Sequence, residues 1–284
     1  MKLSQTWIAM VLAILVATSS GCGVINRIRA KNQLNEAARA YREGHFEEAE
    51  NHSRRAYELD PTNKTAPMFI ARTLHAQYRP GVQTPENLAK AQAAIEAYQR
   101  ILAQNPNDDE AYKAIAYLYG ATKDDQKLRQ WITSRAANEA TEPEKRAEAY
   151  IVLASKDWDC SFKITELPTN KVTTIDPTTN KATVSYKKPK EQKEFDTAQM
   201  CVKQGLTEAE NAIKYDPNNE SAWSYKTNIL LEASKLAEME GDTSRKAEYQ
   251  KQYEAALKRT TELSVANQKR KEEEAKKSVS PPKG

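Results

Sequence analysis

Alanines at helical spacing, a glycine turn and an Asp-Pro stop follow one another in this sequence and then come round again, a pattern that leaves little room for anything but paired helices. Between Leu34 and Asn63 the chain reads LNEAARAYREGHFEEAENHSRRAYELDPTN. Ala37 and Ala40 come first, Gly44 marks a turn, and Ala49 and Ala56 precede Asp60-Pro61. Small side chains let two antiparallel helices approach closely, glycine permits the tight turn, and Pro61 cannot extend the second helix and so ends it.

The template repeats. Ala66 to Pro106 carries Ala71, Ala94, Tyr98 and Ile101 in the packing places, with an insertion from about Arg79 to Glu86 after which Thr84-Pro85 restarts the helix as N-cap and first helical residue. From Asp109, the residues Ala111, Tyr112, Ile115, Ala116 and Tyr119 follow helical spacing, and a weaker second helix is expected near Gln126 to Ala137. A fourth first helix is predicted over Glu144 to Asp157 with Ala149, Tyr150, Leu153 and Ala154, its partner delayed until Glu194 to Tyr215 before Asp216-Pro217. A fifth pair begins at Ala222-Trp223 and runs through Ala256 around a turn at Gly241-Asp242. Residues 30–263 resemble the tetratricopeptide repeat, in about five helix pairs. The resemblance implies an all-α, tetratricopeptide-like solenoid in which each pair buries its apolar face on the next.

Within that domain, residues 160–191 depart from the template. Phe162 and Ile164 alternate with polar residues, and the β-branched runs Val172 to Ile175 and Ala182 to Tyr186 flank a turn cluster, so a small β-hairpin is predicted from Cys160 to Glu191. It is either a partner-binding arm or an ornament packed on its own repeat. After Leu263, residues 264–284 read as a helix tip passing into a charged, flexible tail. Its basic residues suit anionic lipid or cell-wall polymer, or simply solvent.

The first residues have the layout of an export signal: Lys2, an apolar run from Trp7 to Ala17, then small residues up to Cys22. Residues 1–21 are read as signal peptide and 22–29 as an anchor linker. Ser-Ser-Gly-Cys resembles the lipobox of bacterial lipoproteins, with Ser19 where leucine is usual, and implies lipidation at Cys22. A membrane-spanning anchor over Trp7 to Ile25 and plain cleavage are the competing readings. Setting Cys22 aside leaves Cys160 and Cys201, of the 3 cysteines, as one pair. In hairpins of this kind the two would lie on antiparallel neighbours, where a disulfide is expected.

The 43 basic and 39 acidic residues are interspersed, which disfavours nucleic acid as a partner. No catalytic constellation, cofactor cradle or small-molecule site is read. His45, His52 and His75 are the only histidines, and their spacing does not suit a metal. The tetratricopeptide resemblance implies instead a groove lined by the first helix of each repeat. By that match it comprises Tyr41, Arg42, Arg72, His75, Lys113, Tyr117, Trp158 and Asn228, and Arg42, Arg72 and Lys113 favour an acidic protein or peptide partner. The expected function is a protein–protein interaction scaffold, lipid-anchored in the bacterial cell envelope and facing periplasm or exterior, of the kind that supports assembly of a secretion, pilus or outer-membrane complex. The alternative is a soluble or cell-wall-associated periplasmic binding protein that uses the basic tail.

Overall fold

The structure, a computed structural model, describes residues 3–175 and 177–279, and side chains over 23–175 and 177–277. The leader side chains and that of Cys22, on which the export and lipidation readings turn, lie outside the described residues. Asp176 of the turn cluster does so too. Ten helices and one two-stranded sheet are described, and the chain divides into two compact units, Met1–Leu128 and Arg129–Gly284.

The first unit contains α1 (Leu3–Arg42), α2 (Phe46–Leu59), α3 (Ala66–Gln77), α4 (Pro85–Gln104) and α5 (Asp109–Ala121). Each of α1 to α4 packs on the helix that follows it, and α1 also touches α3. Alanine makes most of the core: Ala37, Ala49, Ala56, Ala66, Ala71, Ala94 and Ala111 are fully buried. A methyl group is the smallest side chain that still removes apolar surface from water, so helices built this way bury area by approaching closely. The insertion after α3 is tied to the fold by Asn87 on α4. Its side-chain amide donates to the carbonyls of Arg79 and Val82 and its oxygen accepts from the Arg79 N–H, each at 2.8 Å. Thr84 caps α4 as expected, accepting from the Asn87 N–H.

α6 (Asp125–Ala137) spans the division between the units. The second unit holds α7 (Pro143–Thr165), β1 (Lys171–Ile175), β2 (Ala182–Tyr186), α8 (Gln192–Tyr215), α9 (Glu220–Glu240) and α10 (Thr243–Val279). α7 packs on α8 and α9, α8 on α9, and α9 on α10. The strands pair antiparallel from Lys171 opposite Tyr186 to Ile175 opposite Ala182.

Two boundaries differ from the sequence reading. α7 does not stop at Asp157 but continues two turns to Thr165, so Cys160, Phe162 and Ile164 are helical and the non-helical insertion begins at Glu166. The alternation at Phe162 and Ile164 was too short to distinguish a strand from a helix. What decides it is burial at helical spacing, Asp157, Ser161 and Thr165 all being buried on one face. At the other end α10 continues past residue 264 to Val279.

Candidate protein-binding site

The first helices of three successive hairpins, α1, α3 and α5, bring six of the eight expected groove residues into the first unit. Tyr41 is exposed near the end of α1 and sets its ring edge-on to Phe46 at 5.3 Å. Arg42 is the exposed last residue of the same helix. On α3, Arg72 and His75 stand one turn apart. The Arg72 guanidinium makes a two-pronged bond to the Glu110 carboxylate at the start of α5, through Nε and Nη2 at 2.5 Å each. This bond, with the opposite charge behind it, raises the Arg72 pKa and lowers that of Glu110. His75 is half-buried between rings, 5.4 Å from Tyr117 and 6.0 Å from Tyr98, and its Nδ1 lies 3.4 Å from the Tyr98 hydroxyl. Burial lowers the His75 pKa and raises that of Tyr98, so both are neutral near pH 7. Tyr117 is 52% exposed. Lys113 is exposed one turn from Asp109, at 3.4 Å.

The other two expected residues belong to the second unit. Trp158 is half-buried on α7, packed against Phe162 and Tyr225 with ring centroids 5.0 and 6.3 Å away, and joins the core cluster around Phe195 and Ile229. Asn228 is half-buried on α9. Cys160 and Cys201 form the expected disulfide, joining α7 to α8 with Cα atoms 6.1 Å apart.

The joints between helices decide what kind of hairpin this is. Entering the second helix, Gly44, Lys123 and Gly241 all adopt a left-handed backbone. The next N–H in each case reaches back five residues, from His45 to Ala40, Asp124 to Tyr119 and Asp242 to Ala237, at 2.9 to 3.0 Å. Leaving it, Asp60, Asn105 and Asp216 share one conformation, with φ of −140°, −134° and −139°. Three residues further on, Asn63, Asp108 and Asn219 each accept backbone N–H bonds that start the next first helix. Each is followed three residues later by a fully buried alanine, Ala66, Ala111 or Ala222. These are tetratricopeptide-type hairpins. No protein-family model and no curated protein sequence matches the chain. Among solved structures, the "MamA RS-1 ArsTM double mutant" is 15% identical over 84% of this chain and 96% of that chain, with a TM-score of 0.40. The "MamA 41-end from Desulfovibrio magneticus RS-1" is 14% identical over 84% and 96%, with a TM-score of 0.37. The "TPR2AB-domain:pHSP90-complex of yeast Sti1" is 15% identical over 80% and 98%, with a TM-score of 0.30. Superpositions this loose add nothing to the tetratricopeptide assignment, which stands on the chain's own joints.

Sequence reasoning missed Glu110, the counter-charge to Arg72. Its place in the first turn of α5 explains it as a residue that suits the helix dipole, and 38 positions separate it from Arg72. Also missed was a buried ionic network in the second unit. Lys235 on α9, 6% exposed, donates to Glu232 at 2.6 Å and to Glu166 at 2.7 Å. Glu232, 1% exposed, also accepts from Thr165 on α7 at 2.5 Å. Burial works against the Glu166 carboxylate, but bonds from Lys171, Lys235 and Tyr186 prevail and hold its pKa down at about 2. Among the described residues no group of three or more His, Cys, Asp or Glu could hold a metal ion.

Proposed function

We propose that this protein is an interaction scaffold of the bacterial cell envelope, held on a membrane through lipidated Cys22, and that it captures an acidic protein segment on the α1–α3–α5 face of its first unit. The observation that carries the reading is that Tyr41, Arg72, His75 and Tyr117 sit on the first helices of consecutive tetratricopeptide hairpins, around one charged pair. Exposed tyrosines and an arginine held in place by a fork are the side chains that anchor binding partners at low entropic cost. Arg42 and Lys113 supply further positive charge. The Arg72 fork onto Glu110 uses two of its five donors, so an incoming carboxylate would meet the remaining edge. A place in a secretion, pilus or outer-membrane assembly accords with an anchored scaffold.

The test has two parts. A photo-crosslinking residue at Tyr117 in intact cells would identify the neighbour. Capture of that neighbour is then compared between wild type, the triple variant R42A/R72A/K113A and E110Q. Capture should fall in the triple variant and rise in E110Q, because losing the Glu110 charge leaves Arg72 to the partner. If the triple variant captures as well as wild type, the acidic-partner reading is wrong. If E110Q weakens capture, Arg72 serves to join α3 to α5 rather than to hold the partner.

A further inference from the structure

Among the described side chains of α1, burial begins at Ala30, which packs with Ala56 and Ala66 beside Leu34 and Leu59, and continues at Ala37 and Ala40. Just before that point stand three large apolar side chains in the open: Val24 at 58%, Ile25 at 50% and Ile28 at 58% exposure. A single exposed isoleucine would need no explanation. Here three share a face, because a helix turns by about 100° per residue, and that face is opposite the one carrying Ala30, Leu34 and Ala37. The same turning places Arg27 and Lys31 along one side of the apolar strip and Arg29 along the other. All three are exposed. The sequence contains no acidic residue before Glu36, so nothing within this stretch offsets their charge.

We propose that the Val24–Lys31 stretch of α1 lies along an anionic membrane surface, with Val24, Ile25 and Ile28 in the boundary between headgroups and acyl chains and Arg27, Arg29 and Lys31 on lipid phosphates. An apolar strip flanked on both sides by long basic side chains suits an interfacial helix, since the stems cover the strip's edges while the charged heads stay with the phosphates. The occupant is lipid because of the one-signed charge and because the strip directly follows Cys22 and the apolar run Trp7–Ala17. The inference rests on the lipid-anchor reading above and adds an orientation: α1 lies along the surface instead of standing off on a loose stalk. Each basic residue near an anionic surface strengthens association about fivefold, so three residues and a shallow strip reinforce an anchor without replacing it.

Ile28→Cys in the full chain, with Cys160 and Cys201 left in their disulfide, reads this out through its labelling rate with a membrane-impermeant maleimide. Tyr57→Cys on α2 serves as the exposed reference. On vesicles of phosphatidylcholine and phosphatidylglycerol, Ile28→Cys should label several-fold more slowly than in detergent. That protection should be lost on phosphatidylcholine alone and in the added triple variant R27E/R29E/K31E, while Tyr57→Cys stays unchanged throughout. If the chain remains vesicle-bound yet Ile28→Cys labels as fast as in detergent, this inference fails and the anchor stands. Release of the wild-type chain from cell membranes by high salt without detergent would overturn the anchor reading, and the inference with it. Protection in cell membranes but not on phosphatidylglycerol vesicles would mean that a protein covers the strip, and would overturn the lipid assignment.

Discussion

Gly205 shows how much a single hydrogen decides in a helical array. It lies in the middle of α8, where glycine is about 1 kcal/mol worse than alanine on propensity alone. A methyl group there would come within 3.0 Å of Asp157 Cβ on α7 and of Ile229 Cδ1 on α9. The isoleucine tip can rotate away; the aspartate Cβ moves only if α7 moves. Asp157 is itself fixed, being 3% exposed and held by Arg129 through two bonds at 2.8 and 3.1 Å. Overpacking of this kind costs about 1–3 kcal/mol, more than the propensity gain. Gly205→Ala should therefore lower the thermal midpoint of the second unit by a few degrees, measured by circular dichroism. A midpoint that rises would show that the three helices can spread and that propensity wins.

At the scale of elements, the two turns that lengthen α7 and the β-hairpin after them are held by ions more than by grease. Lys235 joins Glu232, Glu166 and, through cation–π contact at 5.0 and 5.4 Å, the rings of Tyr186 and Phe162. Glu238 on α9 accepts the Tyr186 backbone N–H at 3.1 Å, so the same helix grips β2 directly. Removing the lysine strands the Glu232 carboxylate in the interior. Lys235→Ala should cost about 3–5 kcal/mol, and Lys235→Met combined with Glu232→Leu should recover much of it, by denaturant titration. Equal stability of the single and double variants would mean that the charge is not what the site loses. The hairpins were legible from local signs, since Gly44, Gly241, Asp60, Asp216 and the buried alanines each announce themselves within a few positions. The strands were legible as well, to one residue at Lys171. The network was not, because its members come from α7, the loop after it, both strands and α9, and no local rule links Glu166 to a lysine 69 residues away. One hint was available: the run from Ile229 to Met239 reads ILLEASKLAEM, apolar on most sides of a helix, which points to burial all round and to a glutamate and lysine inside it that must find partners. The Arg72–Glu110 pair escaped for the same reason of distance, and it changes how the candidate face would read an acidic partner.

For the whole molecule, the question is how far one crosslink reaches. In arrays of stacked hairpins stability is close to a sum of each repeat and its contacts with neighbours, so a local change stays local. The Cys160–Cys201 bond closes a loop across 41 positions inside the second unit, which in the chain-entropy picture stabilises by about 4 kcal/mol. A chain that unfolds as one cooperative body would spend that loss over its full length. One that unfolds by unit would show it in residues 129–284 alone. Hydrogen exchange with and without reductant separates the two, since amides report the opening of their own region. Reduction should speed exchange in α7, α8 and α9 and leave α2, α3 and α4 as they were. Faster exchange in α2–α4 to the same degree would mean that the division at Leu128 is one of contact only, that the units share a single unfolding transition, and that losing this bond would loosen α1–α5 together with the crosslinked helices.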